Sequence, residues 1–366
     1  MMPLASCRKV PDVEAGSSDG IQFSPNLEIS ADTKTSYSGE GLYQNNVLIK
    51  ERIDWKNGDL ITICSKQASV WDKSLTPWVL VKNASGYSTA DYSITSFTTT
   101  ENTISRAKVA PVGGSGLQWG ETGIHQFYGM YPSSKTAGFT VEERSKVGFI
   151  TPTQIKGTIP QAQSPQWNGN VGTPQMQYAY MWAYGSAVSG AASVNLKFLP
   201  MFQAIEFTVE SPENESVALT SFSFESQHVL SSWMTGDFTT EIQGRYMVFP
   251  FDTVVNGSKK ITVDLSGKTV TPSDPLKFTI IALPHWYSDV KMSFTGPQIG
   301  TRSVILLKSD GTPISFSDSK KFHVRGISFP KNAIPGGGEE IIWDQEAFGE
   351  EILWDEEKEI KWNTVL

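Results

Sequence analysis

Apolar and polar positions alternate along most of the chain. Between residues 21 and 31, Ile21, Phe23, Pro25, Leu27, Ile29 and Ala31 fall on one face, and Gln22, Ser24, Asn26, Glu28 and Ser30 on the other. Five cycles at a period of two predict a strand with one buried face. Pro25 lacks a backbone donor and predicts an edge position for that strand. Further strands are predicted at 59–65, 78–82, 126–131, 147–150, 194–198, 204–210, 219–225, 246–251, 260–265, 277–283, 290–294, 303–307 and 321–327, separated by Gly, Pro, Asn, Asp and Ser. Helical periodicity is scarce; its best case, 175–184, is short and aromatic. The pattern predicts an all-β chain of sandwich modules rather than α/β units.

At 366 residues the chain has room for about two domains. The stretch 157–190 is rich in Gln, Pro, Gly, Asn and Ser and reads as an excursion or linker, which sets a boundary near residue 190. The expected organisation is a flexible tether over 1–19, a sandwich over 20–190, a second over 191–335, and a distinct segment over 336–366.

That last segment repeats an Ile-x-Trp unit at Ile341/Trp343, Ile352/Trp354 and Ile360/Trp362, each flanked by acids or an amide. In an extended chain the Ile and Trp of one unit point the same way. Three readings stay open. The units could form strands added to the body or offered to another subunit. They could form a local meander that covers its own sheet edge, with the acids discouraging further pairing. They could also form a helix, since 11 residues separate Trp343 from Trp354.

Charge separates this segment from the rest. The chain carries 30 basic and 38 acidic side chains, a net of −8, and residues 336–366 hold ten of the acids against two lysines. The remaining body is therefore neutral, which excludes nucleic-acid binding through a basic face.

Of the two cysteines, Cys7 ends the run Leu4-Ala5-Ser6-Cys7, which fits a bacterial lipobox and marks Cys7 for lipidation. Cys64 sits in a strand-like run and reads as a small buried hydrophobe. No apolar run approaches the roughly 18 residues of a membrane helix, so attachment to a membrane would rest on lipid, and one acyl chain is a marginal anchor.

Catalytic signals are missing. The four histidines are far apart, and there is no nucleophile elbow, phosphate loop, zinc pair or calcium loop, so neither an enzyme nor a cofactor is expected. Two carboxylates meeting in space would remain compatible with a glycosidase. Eleven tryptophans raise a carbohydrate-binding surface as an alternative, although Trp55, Trp119, Trp182 and Trp233 read as core residues.

Several ordered runs carry a resemblance. They are Asp32-Thr33-Lys34-Thr35, the run from Arg52 to Ile61, the run from His125 to Pro132, Gly157 to Gln163, Met176 to Ala183, Val194 to Phe202, Phe278 to Pro284, and Lys321 to Pro330. Over about residues 20–330 the chain resembles fimbrillin-like proteins of Bacteroidales, the type V pilus subunits. The resemblance implies two tandem transthyretin-like β-sandwich domains, export as an outer-membrane lipoprotein, and assembly with other pilus subunits by donor-strand exchange. It implies cleavage after an arginine in the N-terminal domain, for which Arg52 is the candidate, and loss of a first strand, here the one carrying Ile21, Phe23, Leu27 and Ile29. The Ile-x-Trp tail departs from the family and is a candidate donor. The expected role is a structural or adhesive subunit of a surface fimbria. The alternative is a surface lipoprotein that binds a host protein or glycan without polymerising.

Overall fold

A computed structural model describes residues 21–329 apart from 22, 29–35, 45–46, 67–69, 73, 75, 78, 83–86, 101–103, 115, 120–123, 137, 152, 212–214, 244–245, 249–253 and 317–320; beyond these it describes Ile341 and Trp343. The first nine strands are β1 (Phe23–Glu28), β2 (Ser36–Gln44), β3 (Val47–Asp54), β4 (Leu60–Lys66), β5 (Val70–Asp72), β6 (Val79–Lys82), β7 (Tyr87–Thr100), β8 (Ile104–Pro111) and β9 (Ile124–Tyr131). After a one-turn helix α1 (Val141–Ser145) come β10 (Gly148–Thr151), β11 (Gln154–Ile159), β12 (Ala162–Gln163), β13 (Gln166–Asn168), β14 (Val171–Thr173), β15 (Met181–Val188) and β16 (Val194–Pro200). The remainder is β17 (Gln203–Val209), β18 (Val217–Ser226), β19 (Thr235–Gln243), β20 (Tyr246–Val248), β21 (Val255–Ser258), β22 (Lys260–Val270), β23 (Leu276–Ala282), β24 (Val290–Gly296), β25 (Gly300–Ile305) and β26 (Lys321–Ile327). The all-β class expected from the alternation is what the chain adopts.

Seven strands close into a barrel in the order β1-β16-β15-β9-β4-β7-β8. Closure leaves no open edge to template aggregation. The inward residues include Ile61 and Ile63 of β4, Phe127 of β9, and Val194, Leu196 and Phe198 of β16, all buried. Gly129 of β9 has a specific reason to lack a side chain: a Cβ there would lie 2.8 Å from the Phe198 ring. The ring instead crosses the barrel and meets Trp55 edge-on at 5.4 Å.

Two five-stranded sheets, β12-β22-β18-β24-β25 and β13-β14-β23-β17-β26, pack face to face. Their shared core is phenylalanine-rich: Phe222 of β18 lies 4.7 Å from Phe207 of β17 and 4.9 Å from Phe278 of β23, ring centre to ring centre. Such offset and edge-on pairs add about 0.5–1.5 kcal/mol each beyond the area they bury. A further sheet, β10-β11-β19-β20 with β21 on β19, covers a third cluster that includes Tyr180, Trp182 and Phe238.

The polar stretch 157–190 is not a spacer. It supplies β12, β13 and β14 to the edges of the two packed sheets, then β15 to the barrel. β16, beyond residue 190, is also a barrel strand. The best case for helical periodicity, 175–184, holds a 3-10 turn, Met176–Tyr178, followed by β15. The cause is tertiary: Met181, Trp182 and Ala183 are needed in a strand that pairs β9 on one side and β16 on the other, and short aromatic runs suit strands.

Candidate functional site

β1 is the element on which the sequence expectations converge. Ile21 and Phe23 are 4% and 3% exposed, and Pro25 is buried with them, as the alternation requires. The Ile21 N–H donates to the Leu117 carbonyl at 2.9 Å, and the Phe23 ring meets Tyr92 and Phe127 edge-on at 5.1 and 5.4 Å. Burying one such side chain is worth about 1.5–3 kcal/mol.

The edge position expected from Pro25 is corrected. β1 pairs in parallel with β16 over Phe23–Asn26 and antiparallel with β8 over Asn26–Glu28, so it is a stave that closes the barrel. Pro25 is tolerated because the ladder to β8 begins only at Asn26, leaving that side of Pro25 without strand pairing. Leu27 lies in β1 opposite Ser105 of β8. Cys7 and Ile29 lie outside the described residues.

A strand between two neighbours cannot be peeled away as an edge strand can. Its removal requires both ladders to open. β1 lies between β16 and β8, in one core with Phe127, Val194 and Leu196.

Arg52 lies in β3, which among the described residues pairs with β2 alone as a two-stranded ribbon. The register shifts between Tyr37 and Gly41 of β2, and Arg52 sits opposite that irregularity, between the pairs Glu51↔Gly41 and Ile53↔Tyr37. A two-stranded ribbon is marginally stable by itself. Immediately after β3 the chain is rooted: Trp55 is fully buried in the barrel core against Tyr131 and Phe198.

The C-terminal segment divides. Ile341 and Trp343 are 0% and 6% exposed and belong to the same buried cluster as Phe222, Phe278 and Phe294. The first Ile-x-Trp unit therefore completes the chain's own core. Ile352, Trp354, Ile360 and Trp362 lie outside the described residues.

Among the described residues no group of three or more His, Cys, Asp or Glu could hold a metal. Cys64 is buried, and desolvation pushes its thiol up to about 12. His285 is buried, and the same cause lowers it to about 4. The buried His323 and the partly exposed Lys277 both reach the buried Glu206, at 3.0 and 3.1 Å, across β26, β23 and β17. Of the tryptophans read as core residues, Trp55 and Trp182 are buried, Trp119 is half-buried, and Trp233 is exposed and stacked over Gly257. Among the described residues no helix is long and apolar enough to cross a membrane.

Sequence reasoning missed the residues that hold β1. Val194, Leu196 and Phe198 stood on one face of a predicted strand, but nothing local said that this face meets Ile21 and Phe23. Tyr92 and Leu117 lie where no strand was predicted.

No family model matches the chain, and no curated protein matches its sequence. Among solved structures, a candidate cell adhesion protein from Bacteroides ovatus matches with a TM-score of 0.52 at 14% identity, over 90% of this chain and 96% of that one. A candidate cell adhesion protein from Bacteroides uniformis matches with a TM-score of 0.47 at 15% identity, over 89% and 97% of the two chains. The fimbrial anchor protein Mfa2 from Porphyromonas gingivalis gives 0.31 at 9% identity, over 88% and 94%. The chain shares its all-β fold with the Bacteroides ovatus protein along nearly its whole length, in keeping with the fimbrillin-like resemblance of its sequence.

Proposed function

We propose that the chain is a structural or adhesive subunit of a cell-surface fimbria, linked to its neighbours by exchange of the strand that closes the barrel. The observation that carries this reading is the placement of β1: one short N-terminal strand, laddered on both sides, with Ile21 and Phe23 seated in the core. Cleavage after Arg52 would release β1, β2 and most of β3 together, while Trp55 keeps the new end attached. The vacated slot offers two ladders and a row of alternate pockets, the arrangement needed for strand addition. The likeness in fold to a candidate adhesion protein is consistent with such a role. Lipidation at Cys7 would hold the uncut chain at the outer membrane during export.

The donor is the distal tail. Ile352-x-Trp354 and Ile360-x-Trp362 reproduce the two-residue spacing and the aliphatic-then-aromatic order of Ile21-x-Phe23. Flanking acids would keep these units soluble until they pair. The unit at Ile341 and Trp343 is committed to its own core and does not serve.

The test is to treat the full chain with an arginine-specific protease and follow SDS-resistant ladders on gels and fibres by electron microscopy. Ladders are expected from the native chain, but not from Arg52→Ala or after deletion of residues 350–366. Absence of ladders from the cleaved native chain, or equal ladders from Arg52→Ala, would overturn the reading.

A further inference from the structure

A polar cleft of about 470 Å³ opens where the barrel meets β10, within the roughly 300–1,000 Å³ range of small-molecule sites. Its wall residues include Thr89 and Asp91 of β7, Gly114, Ser134, Lys135 and Phe149. Nothing in the strand-exchange reading uses it.

Asp91 is the centre of the cleft. Its side chain is 10% exposed, so its position must be well satisfied. The Thr62 hydroxyl, directly across the β4–β7 ladder, donates to Asp91 Oδ1 at 2.6 Å. The buried Ser133 hydroxyl donates to the same oxygen at 2.9 Å. Lys135 Nζ, on a side chain 65% exposed, lies 3.1 Å from Oδ2. A carboxylate has about four acceptor positions, so one is left, and the ammonium keeps two of its three donors.

These supports are rigid. Thr62 and Asp91 sit on paired barrel strands, and the turn bearing Ser133 is tied by its N–H to the Leu60 carbonyl at 2.9 Å. The acceptor is thus preorganised, and the Lys135 ammonium is ion-paired beside it. Their charges cancel. An anion would meet Asp91, and a cation would meet Lys135. A sugar suits both, because each hydroxyl donates and accepts: one hydroxyl gives its proton to Oδ2 while its neighbour accepts from Nζ, each bond polarising the other. Phe149 supplies one apolar wall for the C–H face of a pyranose ring.

The geometry points to a binding site for a neutral hexopyranose, centred on Asp91 and Lys135, with Phe149 as its apolar wall. Such a site would make the barrel a saccharide receptor whether or not β1 is ever exchanged.

Gly114 allows a clean block. A Cβ there meets no atom within 4 Å, so Gly114→Trp can fill the cleft without displacing the backbone. The full chain would be titrated with the methyl glycosides of galactose, mannose, glucose, fucose and N-acetylglucosamine at about 10 mM, read by saturation-transfer NMR, with N-acetylneuraminate as the anionic arm. At least one neutral glycoside is expected to receive ring-proton saturation with a Kd in the millimolar range. Gly114→Trp and Asp91→Asn should each weaken it at least about tenfold, with N-acetylneuraminate weaker than the best neutral sugar. If Asp91→Asn fails to fold, Thr89→Trp takes its place beside Gly114→Trp. No transfer to any of the five glycosides, transfer unchanged in Gly114→Trp, or preference for N-acetylneuraminate would each overturn the proposal.

Discussion

The barrel and the packed sheets are each completed by one end of the chain, but in different ways. At the N-terminal end Ile21 and Phe23 enter the barrel core, and the backbone of β1 is paired to β16 and β8. At the C-terminal end Ile341 and Trp343 enter the core between the two packed sheets, yet neither residue lies in a strand. The same two-residue spacing thus enters one core from a laddered stave and the other from residues assigned to no strand. The two ladders add to the cost of removing β1, and they give the space it would leave two hydrogen-bonding walls. A slot with two hydrogen-bonding walls suits another extended strand.

Deleting residues 1–28 should have the largest effect. It removes the burial of Ile21 and Phe23, about 3–6 kcal/mol together, and unpairs both neighbours. Amide hydrogen exchange in β8 and β16 is expected to accelerate by at least about a hundredfold, while β17, β18 and β22 keep their protection. Equal acceleration in β18 and β22 would break the comparison, because the two cores would then open as one unit.

Trp343→Ala is the counterpart at the other end. Truncating a buried Trp costs about 3–5 kcal/mol. The loss should appear as a lower urea midpoint together with faster exchange in β17 and β23, leaving β1 and β16 protected. A change below about 1 kcal/mol would mean that Trp343 merely rests on the core.

Much of this division was legible in the sequence, and the parts that were not share a cause. The alternation around Ile21 and Phe23 marked β1, and that in 194–198 marked β16, because each buries one face. β7 and β8 were not anticipated. β7 reads YSTADYSITSFTTT, and past Ile94 its outward Ser and Thr residues, with Phe97 partly exposed, blur the period of two. Barrel closure was not legible at all, since Phe23 pairs Val194 and no local pattern encodes so distant a partner. The cleft residues stayed hidden likewise: Thr62, Asp91 and Ser133 are unremarkable in sequence and meet only through the β4–β7 register and the turn after β9. In the tail, the Ile-x-Trp repeat was visible, but its division between a buried first unit and two later ones was not.

Acid offers a way to weaken one core before the other. His285 follows β23 beside the packed sheets, and burial lowers it from 6.5 to about 4. Between those values the unfolded chain binds a proton that the folded chain refuses. Stability is therefore full above about pH 6.5 and falls as the pH drops towards 4, by on the order of 3 kcal/mol. Urea midpoints at pH 7.0, 5.5 and 4.5 should decline in this window, and His285→Gln should flatten the decline. A decline unchanged in His285→Gln would assign the acid sensitivity elsewhere.

The smallest effect concerns the segment between β9 and β15. Thr140 caps α1: its hydroxyl accepts the Glu143 N–H at 3.2 Å, and the Glu143 carboxylate accepts the Thr140 N–H at 2.7 Å. That carboxylate also accepts the Tyr178 hydroxyl at 2.7 Å, and these bonds hold it below the usual carboxylate range. The box therefore ties α1, which follows β9 of the barrel, to the 3-10 turn that leads into β15. Thr140→Ala should cost about 1 kcal/mol, seen as a shift of a few degrees in Tm. A five-residue helix on the surface gives little leverage over either core, so exchange in β16 and β18 should stay as it is. If Thr140→Ala instead loosens both at once, this turn couples them, and cutting the chain at Arg52 would then be felt in the packed sheets as well as in the barrel.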